Sequence, residues 1–287
     1  MEKKIFKILG SLLLIIFLLL GFTVYSQKDR QNLEVDFLDV GQGDAILIKT
    51  PYEQNILIDG GPNTKVLSQL GRHLAFFDKN LDLVILTHPH SDHVAGLVEV
   101  LRRYKVKKVL MTGVVHTSPD YETFLQEIDK QKIESEKADG PKDISLGNDL
   151  VLKILYPLTD LSGQKVEELN NSSIVAKLIY QDNSFLLTGD AEELAEQDLI
   201  NSETDLKASV LKIAHHGSKY STTQNFLDAV KPQFAVISVG KNNDFGHPHL
   251  RTLDTLKNNQ IEYYRTDLQG TIIFISDGQV IKIKAGK

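Results

Sequence analysis

Thr87-His88-Pro89-His90-Ser91-Asp92-His93 gathers three imidazoles and a carboxylate between positions 88 and 93. The segment leading into it, Leu81-Asp82-Leu83-Val84-Ile85-Leu86-Thr87, is mostly apolar and reads as a buried strand. Pro89 disfavours helical backbone at His88, and only an extended backbone turns His88 and His90 to the same side. Beyond them, Ser91 is an acceptable helix N-cap and Asp92 suits a first helical turn. Val94, Leu97, Val98 and Leu101 then recur at helical spacing. The stretch is therefore a strand-to-helix loop that presents its polar side chains at a strand's end.

Imidazole and carboxylate are ligands that zinc and similar divalent ions prefer, and the chain has no cysteine to offer thiolate. A single His-x-His arises readily by chance, whereas the full His-x-His-x-Asp-His string rarely does. Of the nine histidines, all but His73 and His116 fall in three short clusters: this one, His215-His216, and His247 with His249. A metal site is the first expectation. The absence of cysteine also excludes a disulfide-linked partner. A formal net charge of -6 gives no global basic footprint for nucleic acid, so a polyanionic substrate would need a local patch. Lys212, Lys219, Lys241 and Arg251, with Ser218 and Tyr220, lie in sequence around the later histidines and are suited to gripping phosphates.

At the other end, Lys3, Lys4 and Lys7 precede an apolar tract from Ile8 to Tyr25. The tract is just long enough to span a bilayer as a helix and slightly long for the core of a cleaved signal peptide. Residues 1–27 are expected to form an uncleaved anchor that meets the membrane through residues 5–25, single-pass, with the rest outside. Cleavage near Gln27, which would secrete the remainder, is the alternative. From residue 33 to 287 strands and helices alternate without repeats or a linker, as one α/β domain. Glu34 to Val40, Ala45 to Thr50 and Asn55 to Asp59 are expected as successive antiparallel strands. Further strands are expected from Lys108, Leu150, Ile174, Phe185, Val210, Phe234 and Thr271. Helices are expected at Thr64 to Phe76, Tyr121 to Lys132, Glu192 to Ile200, Thr223 to Val230 and Leu250 to Asn259. Apolar strands flanked by such helices imply sheets covered by helices.

The string His88, His90, Asp92, His93 resembles the signature of the metallo-β-lactamase superfamily. Four further stretches resemble the hydrolase domain of the ComEC competence proteins, in the same order. They are Phe37-Leu38-Asp39-Val40-Gly41-Gln42-Gly43-Asp44-Ala45, Leu186-Leu187-Thr188-Gly189-Asp190, His215-His216-Gly217-Ser218 and Gly246-His247-Pro248. The resemblance runs from about residue 33 to 283 and lacks the long membrane channel of that family. It implies a four-layer αβ/βα sandwich with one or two divalent ions, zinc or manganese, along one sheet edge. It also implies that His88 and His90 hold a first metal, Asp92 and His93 a second, and that Asp190 bridges. His215, nearer the strand Val210 to Ala214, would complete the second site, with His216 the alternative ligand. Asp190 and His215 each follow an apolar run and precede a turn, which agrees with a common edge.

The superfamily pattern usually supplies another first-metal histidine between the signature and the bridging aspartate. Only His116 lies in that interval, much closer to the signature than this ligand normally is. Asn170-Asn171-Ser172-Ser173 is the expected structural equivalent, and an amide is a poor substitute for imidazole. The centre is therefore expected to be asymmetric. Asn171 joins His216, Ser218, Lys219 and His249 as expected substrate contacts. Asp92 and His247 are the expected catalytic residues, the first orienting water and the second donating a proton to the leaving group.

A bound divalent ion lowers the pKa of water from about 16 toward ~7 and so gives a hydroxide nucleophile near neutrality, which suits hydrolysis. The expected activity is phosphodiester or nuclease cleavage of DNA. Hydrolysis of a lactone, β-lactam or other small ester is a second reading. A non-catalytic metal-holding module that binds DNA or a partner protein is a third.

Overall fold

The computed structural model describes residues 13–17 and 32–286. The expected anchor lies outside the described residues except for 13–17, a helical stretch whose Leu13, Leu14, Ile15, Ile16 and Phe17 are all exposed. Among the described residues, no helix is long and apolar enough to cross a membrane.

The strands in chain order begin with β1 (Leu33–Phe37), β2 (Ile46–Lys49), β3 (Asn55–Ile58), β4 (Asn80–Leu81), β5 (Leu83–Leu86), β6 (Lys105–Val106), β7 (Lys108–Met111) and β8 (Glu134–Lys137). They continue with β9 (Lys142–Ser145), β10 (Leu150–Tyr156), β11 (Val175–Tyr180), β12 (Asn183–Leu187), β13 (Val210–Lys212), β14 (Phe234–Ile237), β15 (Glu262–Arg265), β16 (Ile272–Ser276) and β17 (Ile281–Ala285). One sheet has the order β17-β16-β1-β2-β3-β5-β7-β8 and the other β15-β14-β13-β12-β11-β10-β9, while β4 and β6 form a small pair. The helices are α1 (Lys65–His73), α2 (Ser91–Arg103), α3 (Pro119–Gln131), α4 (Glu193–Asn201), α5 (Gln224–Val230), α6 (Leu250–Asn258) and α7 (Thr266–Gln269).

The uninterrupted apolar runs are explained by burial on both faces of each strand. In β5, Leu83 and Ile85 join the core between the two sheets, whereas Val84 and Leu86 join the outer core beneath α1, α2 and α3. In β12, Phe185 and Leu187 point inward to the shared core and Leu186 points out toward the helices of the second half. Helix, sheet, sheet, helix is the resulting order of layers, the expected αβ/βα sandwich. The antiparallel β1–β2–β3 meander is present as expected.

Several boundaries differ. The first helix ends at His73 and not at Phe76, leaving Phe76 and Phe77 in an exposed loop. Helix α2 starts at Ser91, so its N-cap is His90 and Ser91 lies one position inside. The strands β8, β9, β15 and β17 were not expected. Their sequences ESEK, KDIS, EYYR and IKIKA are polar or mixed, and each lies at a sheet edge or next to it, where one face is wet.

Candidate metal centre

Because β1, β3, β5, β12 and β13 run toward one end of the sandwich, the residues just past their C-terminal ends converge there. Asp44 follows the loop after β1, Asp59 ends β3, and His88 to His93 follow β5. From the second sheet come Asp190 after β12, and His215 and His216 after β13. Two groups of donors have ligand atoms all within 4.8 Å of one another: Asp92, His93, Asp190 and His216, and the group Asp44, Asp59 and His93. Neither contains His88 or His90.

In the four-residue group, Asp190 Oδ2 lies 3.2 Å from His93 Nε2 and 3.4 Å from His216 Nε2. Asp92 Oδ2 lies 3.2 Å from His216 Nε2 and 3.9 Å from His93 Nε2. Each imidazole is turned by a partner on its far side: His93 Nδ1 donates to Asp59 Oδ2 at 2.8 Å, and His216 Nδ1 to the carbonyl of Ser238 at 2.9 Å. Such outer partners fix the ring and leave Nε2 to the centre. His93 Nε2 and Asp190 Oδ1 are buried without any hydrogen-bond partner. Orphaned buried groups of both kinds are costly, and a divalent cation among these donors would satisfy them together. The donor set, with two carboxylates and two imidazoles and no thiolate, fits such an ion.

The electrostatics point the same way. Burial disfavours charge on His93, yet the carboxylates of Asp190, Asp59 and Asp92 hold its pKa well above the usual histidine range. His216 is likewise buried, and Asp190, Asp44 and Asp92 raise it to about 10. Asp190, despite its burial, is held well below the carboxylate range by His216 and His93. The cluster demands positive charge at its centre. Lys212, fully buried, meets part of that demand from below: its Nζ pairs with Asp44 at 2.5 Å, donates to the Gly189 carbonyl at 2.8 Å and lies 3.9 Å from Asp190 Oδ1. It is enclosed, so it does not serve as the phosphate-gripping residue suggested by its place in the sequence.

His88 and His90 form a second, sparser corner. His88 Nε2 and His90 Nδ1 are 2.9 Å apart, and the two rings meet edge to face. His88 Nδ1 faces Thr87 Oγ1 at 3.1 Å and Ser173 Oγ at 3.3 Å. Burial and then neighbouring His93 push His88 well below its ordinary pKa, so it is neutral and available as a ligand. His116 stands at the rim, its ring 6.4 Å from that of His90.

The structure exchanges the expected places of the two adjacent histidines. His216 lies inside the donor group, whereas His215 Nδ1 pairs with Glu192 at 2.8 Å and its Nε2 is 3.9 Å from Asp190 Oδ2. The cause is the turn Ala214–Gly217, in which His215 (φ 47°) and His216 (φ 53°) are both left-handed. This reverses which ring the strand aims inward, and pattern alone does not disclose it. Non-glycine residues in that region store strain and cluster at functional sites.

Asn171, expected at the substrate, is a structural cap: its Oδ1 accepts from the backbone N–H of Glu192 at 3.0 Å and of Ala195 at 3.3 Å, at the start of α4. Its neighbour Asn170 faces the site, with Nδ2 3.3 Å from His215 Nδ1. Ser218 is buried, and its Oγ accepts from the Tyr220 N–H at 3.2 Å. Lys219 is exposed, its Nζ 5.0 Å from the Tyr220 ring centroid. His247 lies 5.3 Å from His215 and 5.1 Å from His249, between ring centroids. Burial, then His215 and His216, lower the His247 pKa to about 4. At neutral pH it is uncharged, the opposite of what a proton donor to a leaving group requires.

Asp44, Asp59 and Glu192 were not among the expected site residues, and Lys212 was expected at the substrate and not as a buried counter-charge. Asp59 was findable, because it ends the apolar run Ile56-Leu57-Ile58 in the same way that Asp190 ends its own.

Residues 38–241 match the metallo-beta-lactamase superfamily. The chain belongs to that superfamily. Within it, the chain is 34% identical over 256 residues to ComE operon protein 3 of Bacillus subtilis, covering 83% of this chain and 32% of that protein. It is 30% identical over 267 residues to Recombination protein 2 of Haemophilus influenzae, covering 89% and 30%. The superfamily member thus spans about a third of the length of these curated relatives. The fold is also that of the metallo-beta-lactamase fold protein YhfI from Bacillus subtilis, with a TM-score of 0.53, 13% identity, and coverage of 85% of this chain and 100% of that one. The resemblance to competence proteins therefore stands, and with it membership of a family of metal-dependent hydrolases.

Proposed function

We propose that this superfamily member is a membrane-anchored phosphodiesterase that cleaves DNA outside the membrane. The observation that carries the reading is the buried convergence of Asp92, His93, Asp190 and His216, in which His93 Nε2 and Asp190 Oδ1 make no hydrogen bond. These four residues would hold a divalent ion, with His88 and His90 offering a weaker second position. Such an ion, when bound, supplies Lewis acidity and lowers the pKa of water toward ~7.

The chain's own groups do the remaining work. Asp59 and the Ser238 carbonyl orient the two imidazoles, and Lys212 balances the buried charge of Asp44. Glu192 holds His215 with Nε2 on the Asp190 side, where it is placed to contact substrate. His247, uncharged, orients a substrate oxygen by hydrogen bonding. Lys219, Lys241 and Arg251 are exposed around this edge and suit a polyanion. Relatives named for competence and recombination favour DNA, and the apolar leader favours an anchor.

The test is cleavage of single- and double-stranded DNA by the purified full chain after metal stripping and addition of zinc, manganese or magnesium. Lactones and β-lactams are assayed in parallel. Metal-dependent DNA cleavage, weakened by salt and abolished in Asp190→Asn, is the expected result. Turnover of a small ester with DNA left intact would replace the reading with the small-ester hydrolase. Metal binding without any turnover would replace it with the binding module.

A further inference from the structure

The loop between α1 and β4 exposes Phe76 at 84% and Phe77 at 89%, the highest values for any large apolar side chain among the described residues. Their rings meet edge to face, 4.8 Å apart. The loop is pinned to the domain: Asn55 Nδ2, at the start of β3, donates to Asp78 Oδ2 at 2.8 Å and to the Asn80 carbonyl at 3.2 Å. The carboxylate of Asp78 is thereby engaged within the loop, its Oδ1 accepting from the Asn80 N–H and Nδ2 at 3.0 Å each. Arg72, Lys79 and Lys105 are exposed nearby, and no carboxylate pairs with them among the described residues. The Lys105 N–H donates to the Lys79 carbonyl at 2.7 Å, so the two lysines share this edge. An exposed aromatic tip flanked by cations, with Lys79 Nζ 4.7 Å from the Tyr104 ring centroid, is chemistry suited to an anionic lipid interface.

Topology says where this tip lies relative to the leader. Strand β1 is antiparallel to β2, which is antiparallel to β3, so β1 and β3 start at the same edge. Leu33 and Asn55 are separated there by two strand spacings, about 10 Å. The chain therefore enters the domain, at Leu33, beside the loop that carries Phe76 and Phe77. The metal donors all follow the opposite, C-terminal ends of the strands.

We infer that Phe76 and Phe77 insert into the interface of an anionic bilayer, next to the point where the leader enters it, and turn the metal edge away from the membrane. This rests on the reading of residues 1–27 as an anchor. The loop adds a second attachment and thereby fixes the orientation of the domain, as single-point anchoring does not.

The chain contains no tryptophan, so Phe77→Trp introduces a lone indole, excitable apart from the tyrosines, at an exposed position. The full chain carrying it is reconstituted with phosphatidylcholine–phosphatidylglycerol vesicles, with and without bromine on the acyl chains. Leu250→Trp, at the metal edge and 76% exposed in the wild type, is the comparison. The expected result is flotation of both variants, with blue-shifted emission quenched by brominated lipid for Phe77→Trp alone. Flotation without quenching of Phe77→Trp overturns the loop inference and leaves the anchor standing. Quenching of both reporters overturns the orientation. Failure of the full chain to float overturns the anchor and the inference with it.

Discussion

At the scale of single residues, the exchange between His215 and His216 decides how the site is tested. His216→Ala is expected to abolish binding of the tighter divalent ion, whereas His215→Ala retains it and loses turnover, measured by metal analysis beside an activity assay. Asp59 orients His93 directly and reaches His88 through Thr87, so Asp59→Ala is expected to cost ~10–100-fold in metal affinity or activity. The pH dependence follows from charge competition. His93 is raised well above its ordinary pKa and His216 to about 10, so both carry protons at neutral pH in the metal-free protein. An incoming cation displaces those protons, and its affinity strengthens as pH rises through the neutral range. Calorimetric titration in buffers of different ionisation enthalpy should register proton release. Equal heats in such buffers would contradict the assignment.

At the scale of elements, the site depends on how closely α2 is seated against the loop after β3. A Cβ on Gly96 would lie 1.9 Å from the Gly60 carbonyl oxygen, and the Gly60 N–H donates to the His93 carbonyl at 2.8 Å. Gly96→Ala is therefore expected to cost about 1–3 kcal/mol through overpacking and to shift His93 relative to Asp59, read from denaturant unfolding and metal affinity. The strand ends that hold His88, Asp190 and the paired histidines were legible because buried apolar runs stop abruptly at polar residues. Sheets covered by helices were legible for the same reason, through the strand-to-helix alternation, whereas the four-layer order was implied by the family resemblance. What was hidden depends on backbone geometry or distant contacts. Two successive left-handed histidines leave no mark in composition, Asn171 looks polar whether it caps a helix or meets substrate, and Lys212 looks exposed until Asp44 is brought to it. Edge strands such as IKIKA lack the continuous apolar run that marked the interior ones.

For the molecule as a whole, the tighter donor group takes Asp92 and His93 from the first half and Asp190 and His216 from the second. A bound ion thus ties the halves together, and ligand that binds only the folded state stabilises it by ~2.7 kcal/mol at a hundredfold excess over Kd. Chelation is expected to lower the thermal midpoint, and readdition to restore it. Metal analysis should approach one ion per chain before the His88–His90 corner fills.

Strand β16 pairs with β1 in the register Leu33↔Ser276, across nearly the whole domain. A chain made from its N-terminus folds into partial sheets long before that partner exists, and pairings so distant in sequence form slowly. The edge of β1 consequently stays open through most of synthesis. The last hairpin to emerge is the one that closes it, so a late truncation would harm the first sheet more than its position suggests.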